Sequence, residues 1–319
     1  MWITVLPILF FLPALVLAIS APTYDLLAWH SQLSDVAYCV QTVRGPTQLR
    51  TPFKCGKQCR EPQMQDMQLI HAFVHSPARP ALTGYLAVDH ASHTKYVVFR
   101  GTNSIEDTVL DLSFGQQPSV SPGFLQGACP ECQVQGGILA AYETLWEENS
   151  GPLSDFLHSQ YPNYTLSVTG HSLGGVAAAL LATHAKLEGL DPTLVTFGQP
   201  RYANLAYAQL VDSLFFPLNG SDGGSNLGPL DESPRRRMFR VTHWNDVFVS
   251  QPELGGFHHS LGEVYISYPW VSPPRRTVRY CDGAQSEYCH RGDYNPLERA
   301  NFLKNHLAYF GWIGYCPYL

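Results

Sequence analysis

Ser172 is the first candidate for chemistry in this sequence, because it lies at the centre of a glycine-rich turn. Residues 170–175 are Gly-His-Ser-Leu-Gly-Gly; a β-rich run precedes them, and an Ala-rich segment of strong helix formers, residues 176–187, follows. A G-x-S-x-G pattern between a strand and a helix is typical of a nucleophilic serine exposed on a tight, strained turn. The free N–H groups at the helix start favour a developing negative charge there. The alternative is a glycine-rich turn with an ordinary serine.

A nucleophilic serine needs two partners further along the chain. A histidine must take its proton and a carboxylate must orient that histidine, and both follow the serine in hydrolases with this turn. Asp246 is the candidate acid because it lies just past a strand-like run, residues 240–242, at a predicted sheet edge. For the base, the pattern alone leaves the pair His258 and His259 as well supported as His306.

Alternating strand and helix patterns predict the scaffold that must hold these groups. No internal repeat and no inter-domain linker interrupts the alternation. Strands that alternate with helices favour one α/β domain around a mostly parallel central sheet flanked by helices. The predicted strands are 67–74, 82–88, 96–99, 164–169, 193–197, 238–242, 264–266 and 277–280, and the predicted helices are 24–40, 104–112, 137–160, 176–187 and 297–310.

Composition narrows the class of protein. The 319 residues are 45% hydrophobic and 14% charged, which suits a large globular domain with ample core and excludes a largely disordered chain. The formal net charge is -6 and no basic stripe occurs, which argues against a nucleic-acid partner.

The N-terminus carries a hydrophobic segment. Residues 2–19 are almost entirely apolar, Pro7 and Pro13 interrupt them, and small residues close the run. We predict a signal peptide over residues 1–20, a single domain over 21–319 and secretion. The alternative is a membrane anchor, since the run approaches the ~20 residues that a spanning helix needs. The prolines, the small-residue end and the absence of flanking positive charge favour secretion, and no second segment is long enough to span.

Eight cysteines agree with secretion, because an even number behind a signal peptide predicts disulfide bonds. Three close pairs suggest small loops and leave two cysteines to join the ends of the domain, although spacing alone leaves the pairing open. A zinc site at the first two close pairs is the disfavoured alternative in an oxidising compartment. The cysteines are Cys39, Cys55, Cys59, Cys129, Cys132, Cys281, Cys289 and Cys316, and two glycosylation sequons begin at Asn163 and Asn219.

Several motifs together resemble the fungal class 3 secreted lipases, nearest in pattern to yeast extracellular triacylglycerol lipases. They occur in the same order in that family and extend from about residue 25 to residue 316. The motifs are Phe-Arg-Gly-Thr at 99–102, the serine turn at 170–175, Thr-Phe-Gly-Gln-Pro-Arg at 196–201, His-Trp-Asn-Asp-Val at 243–247 and Asn-His-Leu-Ala-Tyr-Phe-Gly at 305–311. The resemblance implies an α/β-hydrolase fold with a short helical lid.

The resemblance also implies roles that the pattern leaves open. It assigns the base to His306, and it makes His258 and His259 wall residues near the site. The backbone N–H of Leu173, the residue after the nucleophile, is one expected oxyanion donor, and the family position of the second donor is Thr102. The implied disulfides are Cys39–Cys316, Cys55–Cys59, Cys129–Cys132 and Cys281–Cys289.

The segment after Thr102 bears on the substrate class. Its apolar residues follow helical spacing, and acidic residues near its start suit a helix N-terminus. One interpretation is a surface helix packed on the core; the other, favoured by the family position, is a lid that opens at a lipid interface. The predicted lid residues are Ser104, Ile105, Val109, Leu110 and Leu112.

These features predict a secreted triacylglycerol lipase that hydrolyses lipid esters at an oil–water interface through an acyl-enzyme. The alternative is a feruloyl-type or other soluble-ester carboxylesterase on the same fold, which the apolar lid residues disfavour. A non-catalytic lipid- or carbohydrate-binding homologue is the remote alternative, disfavoured by the complete set of catalytic residues. We expect a monomer that contacts lipid only peripherally. His90 and His93 lack the helical H-E-x-x-H context, so no metal or cofactor is expected.

Overall fold

The structure is a computed structural model that describes residues 18–40, 49–74, 82–101, 120–217, 235–293, 301–314 and 316. Four features predicted from the sequence lie wholly or largely outside the described residues: the signal peptide up to residue 17, the oxyanion residue Thr102, the lid at 104–112 and the sequon at Asn219.

A single eight-stranded sheet, mostly parallel, forms the centre of the described chain, and the predicted fold class is confirmed. The strands lie side by side in chain order; β3 to β7 are parallel, and the pairs β1–β2, β2–β3 and β7–β8 are antiparallel. The strands are β1 (Met67–Phe73), β2 (Thr83–Asp89), β3 (Thr94–Arg100), β4 (Thr165–His171), β5 (Thr193–Phe197), β6 (Met238–His243), β7 (Glu263–Ile266) and β8 (Val278–Tyr280).

Helices cover both faces of this sheet. Successive side chains of a strand point to opposite faces, and in β2 Leu86 and Val88 enter one core while Tyr85 and Ala87 enter the other. Helix α1 packs on the second face, and the Ala-rich helix α3 lies buried in the first. The helices are α1 (Ala21–Val36), α2 (Gly136–His158), α3 (Leu173–Leu187), α4 (Leu205–Phe215), α5 (His290–Asp293) and α6 (Phe302–Leu307).

The last helix is shorter than the sequence predicts, and this difference bears on the site. Helix α6 ends at Leu307, whereas the pattern predicted a helix to residue 310. Ala308 is extended (φ -97°, ψ 99°) and pairs with Trp312, and the N–H of Ile313 donates to the carbonyl of Leu307. The chain therefore leaves the helix directly after His306 and doubles back, which turns the following residues towards the sheet.

The residues just before α1 also belong to the folded domain. Ala18 pairs with Arg279 of β8, and the N–H of Ile19 donates to the carbonyl of Val278 at 3.1 Å. The side chain of Ile19 is fully buried. Ser20 caps α1, its hydroxyl accepting from the N–H of Thr23. The predicted domain boundary at residue 21 stays a prediction, but among the described residues the sheet contacts begin at residue 18.

Four disulfide bonds connect the cysteines in the pairing that the family resemblance implied. The bonds are Cys39–Cys316, Cys55–Cys59, Cys129–Cys132 and Cys281–Cys289. Within the described ranges no helix is both long and apolar enough to cross a membrane.

Candidate active site

Ser172 occupies a strained turn between β4 and α3. Its backbone has φ 57° and ψ -126°, a conformation that non-glycine residues rarely adopt. Two glycines make the turn possible: a Cβ at Gly170 would collide with the backbone of Gly174, and one at Gly174 would collide with the carbonyl of Phe99. The N–H of Ser172 donates to the carbonyl of Phe197 on β5 at 2.8 Å. The strand–turn–helix segment, packed against β3 and β5, therefore presents the serine at the carboxyl edge of the parallel strands.

Asp246 and His306 form a fully buried pair. His306 Nδ1 lies 3.0 Å from Oδ1 and 2.9 Å from Oδ2 of Asp246, and both side chains are inaccessible to solvent. The hydroxyl of Tyr309 donates to Oδ2 at 2.7 Å, and the N–H of Phe248 donates to Oδ1 at 3.1 Å. The carboxylate is thus held from several directions, as an orienting group requires.

These contacts decide the charge of the acid. Burial alone raises the pKa of Asp246, but the charge of His306 and the hydrogen bonds from His306 and Tyr309 outweigh burial and hold the pKa below its usual value. Asp246 therefore stays ionised at neutral pH and accepts hydrogen bonds with both oxygens.

The imidazole of His306 lies between two rings. Phe248 stacks on one side, with centroids 4.1 Å apart, and His171 lies 4.6 Å away. Gly198 has φ 57°, and a Cβ there would lie 2.9 Å from Cε1 of His306, so the ring fills the space that glycine leaves. Among the described residues the buried Nε2 of His306 has no hydrogen-bond partner, which leaves this nitrogen available to act as a base.

Two backbone segments approach Ser172, the candidate nucleophile, where an oxyanion would form. Leu173 is the first residue of α3, so its N–H belongs to the free donors of that helix start. Gly101 lies against the serine, since a Cβ at Gly101 would be 3.1 Å from Cβ of Ser172. Thr102 follows Gly101 in the chain, and its predicted role stays a prediction.

The other candidate base makes different contacts. His259 is buried, and its Nε2 hydrogen-bonds to the carbonyl of Val249 at 2.8 Å instead of to a carboxylate. Burial, with Arg240 and Arg201 nearby, lowers the pKa of His259 well below its usual value, so the ring is neutral. His258 is partly buried and donates its backbone N–H to the carbonyl of Ala203. The structure brings His306, not this pair, to the side chain of Asp246.

Sequence reasoning missed three residues that touch His306 or Asp246: Tyr309, His171 and Phe248, which stacks on His306. Tyr309 lies three residues after His306, and that spacing within the motif was the available signal. His171 was treated as the variable residue of the serine turn, yet its ring packs against His306. Among the described residues no group of three His, Cys, Asp or Glu side chains is placed to hold a metal ion.

Comparison with known proteins gives one consistent result. The family model for "Lipase (class 3)" matches residues 96–254. The secreted mono- and diacylglycerol lipase 2 of Gibberella zeae is 33% identical over 307 residues, covering 88% of this chain and 71% of that protein. The solved structure of the nonglycosylated LIP2 lipase of Yarrowia lipolytica superposes with a TM-score of 0.83 at 36% identity, covering 94% of this chain and 98% of that chain. Lipase A of Sodiomyces alcalophilus is 28% identical, covering 85% of this chain and 68% of that protein.

Proposed function

The chain belongs to the class 3 lipase family and is a secreted lipase, and we propose that it hydrolyses triacylglycerols at an oil–water interface with Ser172, Asp246 and His306 as its catalytic triad. The observation that carries the triad is the buried His306–Asp246 pair, whose imidazole packs on His171, the residue directly before the serine on its strained strand-to-helix turn.

The first half of the reaction forms the acyl-enzyme. Ser172 Oγ attacks the ester carbonyl while Nε2 of His306 takes its proton, and Asp246 stabilises the imidazolium that forms. The backbone N–H of Leu173 and the donors of Thr102 stabilise the oxyanion, an effect of roughly 3 kcal/mol for each donor. His306 then gives its proton to the leaving alcohol. In the second half a water molecule attacks the acyl-enzyme by the same route and releases the fatty acid.

Contact with a lipid surface is supported by apolar side chains around α6. Trp270, Leu303 and Trp312 are 53%, 36% and 49% exposed. Lys304 on the same helix lies over the ring of Trp270, 3.3 Å from its centroid. Tryptophan rings suit the boundary between water and lipid because they are apolar with one polar N–H group. This patch adjoins the segment that carries His306, and with the predicted lid it makes peripheral contact with the lipid surface.

The relative from Gibberella zeae is named a mono- and diacylglycerol lipase, so partial glycerides are a second substrate candidate beside triacylglycerols. Soluble feruloyl-type esters remain the alternative from the sequence, and the exposed apolar patch favours lipid over them.

The proposal includes the cleavage of the signal peptide and the glycosylation of two asparagines. The sequence predicts a signal peptide over residues 1–20, and cleavage two residues earlier, between Ala18 and Ile19, would keep the buried Ile19 and the capping Ser20 in the mature domain. Ala18 supplies the small residue before that cut. N-terminal sequencing of the secreted protein is expected to begin at Ile19; a start at Ala21 or later contradicts this. Asn163 is exposed and is a glycosylation site; Asn219 is the second.

A rate titration tests the substrate class. Tributyrin is raised through its solubility limit, with a monoglyceride and diglyceride of the same acyl length and a soluble feruloyl ester in parallel. We expect the rate to jump once tributyrin droplets appear, and Trp270→Ala combined with Trp312→Ala to reduce only that jump. Tyr288→Ala, at an 81% exposed aromatic side chain, is the control. Saturation below the solubility limit with faster feruloyl ester cleavage would overturn the lipid-interface proposal.

A further inference from the structure

His171, the residue directly before the nucleophile, has both ring nitrogens in hydrogen bonds. Its Nδ1 lies 2.8 Å from the hydroxyl of Tyr38, and its Nε2 lies 2.8 Å from the backbone carbonyl of His306. His171 is fully buried and Tyr38 is buried at the end of the helical segment that continues α1. Tyr38 and His306 are 133 and 135 positions away from His171 in the sequence, and both contact it in one buried cluster.

The chemistry of the partners fixes the direction of these hydrogen bonds. A carbonyl oxygen only accepts, so Nε2 of His171 carries the proton and donates to His306. The neutral imidazole then accepts at Nδ1, and the hydroxyl of Tyr38 must be the donor. Tyr38 thereby selects one tautomer of His171, and only that tautomer can hold the backbone of His306.

The same hydroxyl touches the segment that leads to the oxyanion residue. A Cβ at Gly101 would lie 2.7 Å from Oη of Tyr38, and the backbone of Gly101 hydrogen-bonds to that oxygen. Three catalytic segments thus meet at Tyr38 and His171: the one before Thr102, the serine turn and the one that carries His306.

We infer that Tyr38 and His171 form a positioning pair that holds the nucleophile, the oxyanion segment and the catalytic base in register, so that Tyr38 controls turnover without touching substrate. The inference rests on the proposed role of His306 as the base. It goes beyond the triad because neither residue exchanges a proton with the reacting atoms.

His171 acts in this positioning pair as a neutral imidazole. Burial, followed by the nearby His306, lowers the pKa of His171 to about 3, so the ring carries no charge at working pH. A charge on His171, 4.6 Å from the ring of His306, would oppose the imidazolium that forms in the transition state. The titratable and charged groups that face the pair are Asp35, Arg100, Asp246, His306 and Tyr309.

Tyr38→Phe removes only the hydroxyl and tests the inference. Without the donor at Nδ1 the second neutral tautomer of His171 becomes accessible, and that tautomer has no proton on Nε2 to donate to the carbonyl of His306. We expect kcat for a soluble ester to fall roughly tenfold, in line with the loss of one buried hydrogen bond, with KM within twofold.

Tyr85→Phe is the matched control. Tyr85 is fully buried, and its hydroxyl donates to the carbonyl of Leu33 on α1 at 2.9 Å, so the variant loses a comparable hydrogen bond to the same helix. We expect it to lower the melting temperature and leave kcat and KM unchanged. Equal kinetic effects in both variants, or none in Tyr38→Phe, would overturn the inference.

A double-mutant comparison separates the route through His171 from the route through Gly101. In a His171→Phe background, Tyr38→Phe is expected to lower kcat by clearly less than tenfold, because only its contact with Gly101 is then lost; a full additional tenfold loss would overturn the coupling. Ser172→Ala in the same assay reports on the triad itself. If Ser172→Ala stays active, the proposed function fails, whereas a dead Ser172→Ala with an unaffected Tyr38→Phe refutes the positioning pair alone.

Discussion

The serine turn and the segment that carries His306 reach the same site by opposite means. Ser172 is placed by its immediate neighbours: strand β4, two glycines and the start of α3. His306 lies on a six-residue helix that follows the last strand of the sheet. Its position depends on contacts with residues far away in sequence, including Asp246 and His171.

The remote contacts continue past His306 to the end of the chain. The N–H of Gly314 donates to the carboxylate of Asp35, and Cys316 is bonded to Cys39. Both partners lie at the end of α1 beside Tyr38. Ser172 is thus positioned mainly by its own strand–turn–helix segment, whereas His306 is positioned by contacts from distant parts of the chain. Substitutions in the two regions should therefore have different effects.

Removing the hydroxyl of Ser172 gives the largest expected loss of activity. Ser172→Ala removes the nucleophile and should lower kcat on the order of 10⁴- to 10⁶-fold without loss of folded protein. The measurement is hydrolysis of emulsified tributyrin, with circular dichroism to confirm the fold. Ser213→Ala, at an exposed serine on α4, is the control and should keep full activity. Substantial activity in Ser172→Ala would mean that another residue is the nucleophile.

Removing the disulfide bond that anchors the chain after His306 gives a smaller loss of activity. Its first effect is on the free energy of unfolding. Removing Cys39–Cys316, whose cysteines are 277 residues apart, costs about 5.6 kcal/mol by the chain-entropy relation, against about 2 kcal/mol for Cys55–Cys59 at a separation of 4. The test is thermal unfolding together with activity as temperature rises, for the two Cys→Ser double variants.

We expect the Cys39→Ser, Cys316→Ser variant to lose activity at temperatures where its far-UV signal is still native, because the segment of His306 and Tyr309 loosens before the sheet unfolds. The Cys55→Ser, Cys59→Ser variant should lose activity only as it unfolds. Parallel loss of activity and structure in both variants would contradict the special role of the C-terminal segment.

The sequence predicted what short-range patterns encode. The turn at Ser172, the order of strands and helices and the placing of Asp246 after β6 follow from glycine spacing and strand–helix alternation. Strand 193–197 has the predicted bounds, and the predicted starts and ends of the others differ by a few residues.

What the sequence left open depends on long-range packing. Pattern alone did not separate His306 from His258 and His259, and only the family resemblance made the choice. The predicted end of the last helix was wrong because Tyr309 turns to donate to Asp246, a contact that no helical periodicity encodes. The contacts of Tyr38 and His171 join segments far apart in the chain, so no local signal points to them.

The assignment of the base is the central claim, and covalent labelling tests it most directly. Diethyl p-nitrophenyl phosphate reacts with an activated serine, and the rate of p-nitrophenol release and the labelled peptide are measured for the wild type, His306→Ala and His259→Ala. We expect the label on Ser172, a rate more than roughly 10³-fold lower in His306→Ala, and a rate near wild type in His259→Ala. Rapid labelling of His306→Ala would contradict the account, and so would a labelling rate that falls only in His259→Ala.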